Sequence, residues 1–95
     1  MAKTIKLVLS DHWFEEIKSG RKTREYRRKT NYWIKRFGWY DVFREWPTVQ
    51  FQKAYRKNPE RMEFEIVHIK VVDGLETDLL CYEPVFEIQL GRRIK

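Results

Sequence analysis

The sequence is short of the residues that make covalent staples and metal centres. Its single cysteine, Cys81, permits no intramolecular disulfide and no Cys₄ or Cys₂His₂ zinc site. The two histidines, His12 and His68, lie far apart, without the HxH or HxxxH spacing of metal ligands. A Cys81–His68 nucleophilic pair has no third orienting group in view. No apolar run approaches the ~20 residues that a membrane-spanning helix requires. Neither helical segment is a long basic amphipathic one of the kind that lies on a membrane surface. There is no signal-peptide core near the N-terminus and no glycine-rich phosphate loop. These absences lead us to expect a cytoplasmic protein with a reduced thiol and with no metal, cofactor or membrane partner.

What is present is apolar, aromatic and basic. Ninety-five residues make one domain, and 42% hydrophobic with 16% aromatic residues is enough for one packed core. The chain carries a formal charge of +6 and a pI near 9.6, and the excess is local. Residues 18–36 hold nine Lys or Arg against one acid, Glu25, a local +8 that leaves the remainder of the chain at −2. Clustered positive charge of this kind suits a polyanionic partner, most simply nucleic acid.

Periodicity gives the elements in order. Ile5, Leu7 and Leu9 alternate with Lys6 and Val8, a half-buried strand. Ser10 offers an N-cap, Trp13, Phe14 and Ile17 form an apolar helical face, and Gly20 provides a stop. Lys22 to Arg28 reads as a strand without a single large aliphatic residue. Thr23, Glu25 and Arg27 share one face of it; Lys22, Arg24, Tyr26 and Arg28 share the other. Such a strand is either a charged sheet edge or the lining of a site. Thr30 caps a second helix through Phe37, with Gly38 as its stop and Trp33 and Phe37 as packing residues. The segment from Tyr40 to Arg44 is a short possible strand, ended by Trp46-Pro47. Val49 to Tyr55 is a strand running into the turn cluster of residues 56–60. In Met62 to Val72 the apolar phase slips from Met62, Phe64 and Ile66 to Val67, Ile69 and Val71, the mark of a β-bulge. Asp73-Gly74 is a turn, Leu75 to Tyr82 has no clear pattern, and Val85 to Leu90 closes the chain as a strand. The order implies an α+β domain of five or six mostly antiparallel strands with two short helices.

Gly20-x-Lys22-x-x-Glu25-x-Arg27 resembles the GxKxxExR signature of the ASCH domain family, and the preceding strand and aromatic helix and the following Tyr32-Trp33 helix are similar to that family too. The resemblance covers nearly the whole chain, residues 1–95. It implies a PUA-like small β-barrel and an RNA-binding module with a basic cleft around the motif. One branch of the family comprises small amidohydrolases acting on N4-acetylcytidine. There the motif lysine is the nucleophile or proton carrier, assisted by a Thr and by a later Glu. Lys22 matches that lysine, Glu25 stands where the Thr would be, and Glu63, Glu65, Glu76 and Glu83 lie in the later segments.

The leading expectation is therefore binding of RNA or a nucleotide. Arg21, Lys22, Arg24, Glu25, Tyr26 and Arg27 form one lip of a cleft, and Lys53, Tyr55, Arg56 and Lys57 in the residue 53–61 turn form the other. Lys22 and Arg27 would meet a phosphate or base carbonyl, Glu25 a base edge, and Tyr26 or Tyr55 would stack. Equally, Glu25 and Arg27, two apart on one strand face, can form an ion pair that organises the strand. The alternative from another class is an enzyme, either a hydrolase of a modified nucleoside or a weak ribonuclease, using Lys22 and Glu25 as catalytic residues. A protein-interaction module displaying surface tryptophans is the third.

Overall fold

A computed structural model of the chain describes residues 4–35 and 48–95. Strand β1 (Ile5–Leu9) leads into helix α1 (Asp11–Lys18), and β2 (Arg24–Arg28) follows. Residues 31–35 begin a second helix, α2. Strands β3 (Thr48–Lys53), β4 (Arg61–Asp73) and β5 (Pro84–Arg93) complete the sheet, with a 3₁₀ turn at Gly74–Glu76 between the last two. The expected continuation of the second helix through Phe37, and the expected strand at Tyr40 to Arg44, fall outside the described residues.

The five strands form one curled, mixed sheet in the order β1-β3-β4-β5-β2. Among the described strands, β1 and β3 pair in parallel and the other three pairings are antiparallel. The fold is thus α+β with a half-barrel sheet. The concave face and α1 enclose the core, in which Phe14, Val49, Phe51 and Ile88 are wholly buried and Leu7, Ile17 and Met62 nearly so. Burial of each such side chain contributes about 2 kcal/mol.

Local chemistry explains the element ends. Ser10 precedes α1 in extended conformation as expected, but its side chain makes no capping bond; the helix opens through its carbonyl, which accepts from the Phe14 N–H at 3.0 Å. Of the expected apolar face only Phe14 and Ile17 are buried, whereas Trp13 remains 36% exposed. Gly20 ends the helix turn at φ +86°, a left-handed conformation that glycine adopts without steric cost. Strand β3 stops at Lys53 because Ala54 takes φ +58°, so Tyr55 lies beyond the strand and is 88% exposed. The phase slip in β4 coincides with two register shifts, between Phe64 and Ile66 and between Ile66 and His68. Ile69 then packs against the core, while Val67 and Val71, expected to share its face, are exposed.

Among the described strands, β1 and β2 stand at the two ends of the sheet order. The curl brings them close enough for the Arg27 Nη2 to donate to the Val8 carbonyl at 3.4 Å. One side chain thereby spans the gap between the first strand and the last.

Candidate functional site

The cleft lies at this gap. Its volume is about 500 Å³, and it is walled by Val8, Leu9 and Ser10 from β1, Trp13 from α1, residues of β2, Thr30 and Trp33 around α2, and Asp78 and Leu79 from the loop before β5. Glu25 is at its floor. It is 3% exposed, and every polar atom of its carboxylate is engaged. Its Oε1 accepts from the Tyr26 N–H at 3.0 Å and faces the Lys22 Nζ at 3.1 Å; its Oε2 accepts from Arg27 Nη1 at 2.9 Å. The pairing along the strand expected from spacing is present, and a buried charge without it would carry a heavy desolvation cost.

Lys22 is also enclosed, with a side chain 11% exposed against 5% for Glu25. Its ammonium donates to Asp78 Oδ2 as well as facing Glu25. The Trp13 ring covers it at 4.1 Å, and the Tyr26 ring lies 5.7 Å away. Two carboxylates and an aromatic face suit a cation. Arg27 lies 5.6 Å from the Trp33 ring. Two cations, Lys22 and Arg27, thus meet two acids, Glu25 and Asp78, so these four charges at the cleft floor cancel, while Arg28 adds one exposed cation to the lining.

Asp78 is delivered by an ordered loop. The Gly74 carbonyl accepts from the Thr77 hydroxyl at 2.8 Å and from the Cys81 N–H at 3.3 Å, and the Thr77 hydroxyl accepts from the Leu79 N–H at 3.2 Å. A Cβ on Gly74 would lie 2.7 Å from the Cys81 carbonyl oxygen and nearer still to that of Glu83, so the close turn requires glycine. Cys81 is half-buried beside this turn and donates to the Glu83 carbonyl at 3.4 Å.

The expected site residues divide into two groups. Lys22, Glu25, Tyr26 and Arg27 meet in the cleft. Arg21 and Arg24 stand just outside it, Arg21 paired with Glu16 at 2.8 Å and Arg24 facing Glu87 at 3.5 Å. The structure does not bring Lys53, Tyr55, Arg56 or Lys57 into the cleft lining. Instead Lys53 bonds Glu15 at 2.6 Å, Arg56 bonds Asp11, and Glu60 bonds Lys18 at 2.7 Å, which fastens that turn to α1. The Lys53 pairing lowers the pKa of Glu15 and raises that of Lys53 itself, and Arg21 likewise lowers that of Glu16. Burial, and then the Glu87 carboxylate, push the Tyr26 hydroxyl above the usual tyrosine range.

Sequence reasoning missed Asp78, Trp13 as a cleft wall, and Leu79. The preference for Trp33 as a packing residue holds in part, since it touches the core and also lines the cleft. None of the four later glutamates meets Lys22; the acid that does is Asp78. Among the described residues, no group of three or more His, Cys, Asp or Glu side chains is placed to hold a metal ion, and no helix is long and apolar enough to cross a membrane. No protein-family model matches the chain, and no curated protein matches it.

Proposed function

We propose that this chain is an ASCH-type, PUA-like module that binds RNA or a nucleotide by taking one base into the cleft between Trp13, Tyr26 and Trp33. The observation that carries this reading is the neutral, hydrogen-bonding floor between aromatic walls. A phosphate needs cations in excess, and Lys22 and Arg27 are already matched by acids. A base is flat, uncharged and edged with donors and acceptors, which suits aromatic stacking over Glu25, Asp78 and Arg27. The phosphates are then left to the exposed cations around the rim, Arg21, Arg24, Arg28 and Lys29.

Titration of nucleosides against tryptophan fluorescence, alongside anisotropy of a labelled single-stranded RNA, tests the reading. Nucleoside affinity should scarcely change between 50 and 200 mM salt, because no counterions are released. RNA affinity should fall about tenfold over the same range if two or three phosphates are contacted. Trp13→Ala and Lys22→Ala should weaken both ligands. Failure of every nucleoside to bind, together with RNA binding indifferent to both substitutions, overturns it.

One observation favours a second reading, hydrolysis of a modified nucleoside: an acid from a later segment, Asp78, does meet Lys22. In that reading Asp78 would take a proton from water and the Lys22 ammonium would donate one to the departing amine. Incubation with N4-acetylcytidine, followed by chromatography for cytidine and acetate, decides it. Turnover abolished by Lys22→Ala and Asp78→Asn supports hydrolysis; no cytidine release leaves binding alone.

A further inference from the structure

On the face of β2 that carries Arg24 and Tyr26, the one opposite Glu25 and Arg27, three basic side chains converge on one carboxylate oxygen. Glu87 Oε1 is 3.5 Å from Arg24 Nε, 3.4 Å from His68 Nε2 and 3.8 Å from Lys70 Nζ. The three come from neighbouring strands in register, since Tyr26 and Lys70 both pair with Glu87, and Arg24 and His68 both pair with Gln89. Glu87 itself is 8% exposed, whereas the side chains of Arg24 and Lys70 are about half exposed (49% and 56%). One buried acid therefore faces two permanent cations, with a net +1 before His68 carries any charge. The contacts are also looser than the 2.6–3.2 Å pairs elsewhere on the surface. Cations crowded around too little negative charge gain from a second anion on their solvent side.

The cluster adjoins the cleft. Tyr26 lines the cleft, and the Glu87 carboxylate also acts on its hydroxyl. Because β2 is the end strand of the described sheet, a ligand in the cleft can reach round it to the Glu87 cluster. We propose that Arg24, His68 and Lys70, gathered around Glu87 on the outer face of β2, β5 and β4, form a phosphate subsite for the strand whose base occupies the cleft. This rests on the base-binding reading for its ligand. It divides the work between neighbouring sites: the cleft holds a neutral base, and the Glu87 cluster holds the charged backbone.

The test compares wild type with the double substitution Arg24→Gln/Lys70→Gln, using a single-stranded RNA hexamer, the matching nucleoside and inorganic phosphate. Both positions are exposed, so the variant should fold, and circular dichroism checks this. Hexamer affinity should drop at least tenfold and the slope of log affinity against log salt should shrink by about one and a half, the share of two phosphate contacts on a single strand. Nucleoside affinity should stay within twofold. Inorganic phosphate should shift the backbone amide resonances of Arg24, His68, Lys70 and Glu87 in wild type and not in the variant. Those shifts without any nucleoside binding would sink the base-binding reading while leaving the anion site standing. Unchanged hexamer affinity and salt slope, with no phosphate-induced shifts, would overturn the subsite.

Discussion

Glu25 serves Lys22, Arg27 and the Tyr26 amide at once, so its removal leaves the half-buried Arg27 without a carboxylate and Lys22 with Asp78 alone. Glu25→Ala should cost roughly 3 kcal/mol of stability, measured by urea unfolding, because breaking a buried pair leaves uncompensated charge. Tyr26 offers a second check at this scale. Its folded pKa is raised, first by burial and then by Glu87, so its contribution to stability is complete below the unfolded value of about 10 and is lost as pH rises through the folded one. Difference absorbance between wild type and Tyr26→Phe should place its phenolate transition above that of a free tyrosine. The motif made Lys22, Glu25, Tyr26 and Arg27 legible as neighbours because they are close in sequence. Asp78 was not, since it meets Lys22 from 56 residues away in a segment with no apolar period to mark it.

Helix α1 is held on its outer side by charge, through Asp11–Arg56, Glu15–Lys53 and Lys18–Glu60. The lowered pKa values of Glu15 and Glu16 fix the sign of its acid response. Stability from these pairs is present above the unfolded glutamate value of about 4.3 and is lost as pH falls through the folded values. Melting temperature should therefore fall between pH 6 and pH 3, and less steeply for Glu15→Gln/Glu16→Gln. Added salt should erode the same pairs. Sequence alone gave the turn of residues 53–61 four cations and one acid, which resembled a nucleic-acid lip; the acids that match it sit on another element. At the other end of the sheet, Gly74→Ala would force apart a turn with no room for a methyl group. A loss of about 1–3 kcal/mol is expected in thermal or urea melts, together with weaker nucleoside binding as Asp78 is displaced.

For the molecule as a whole, alternation and caps revealed the strands and α1, and the strand without aliphatic residues, β2, proved to be an end strand of the described sheet with side chains of both faces lining the cleft. Register shifts appear in β4 where its apolar phase slips. Sequence did not foresee the parallel pairing of β1 with β3, because a non-local pairing leaves no trace in either strand. Nor did it foresee that the basic stretch would fold around a charge-neutral floor, since summed charge carries no information about which acids return from elsewhere. The gap between β1 and β2 has a mechanical consequence. Neighbouring strands are laced by rows of main-chain bonds that yield only together, but these two edges meet through the Arg27 side chain at Val8. Among the described residues this is the hydrogen bond that joins the two strands, and a seam so joined can part and close by a single rotamer change. The mouth of the cleft can therefore widen for a bulky ring while every ladder behind it stays intact.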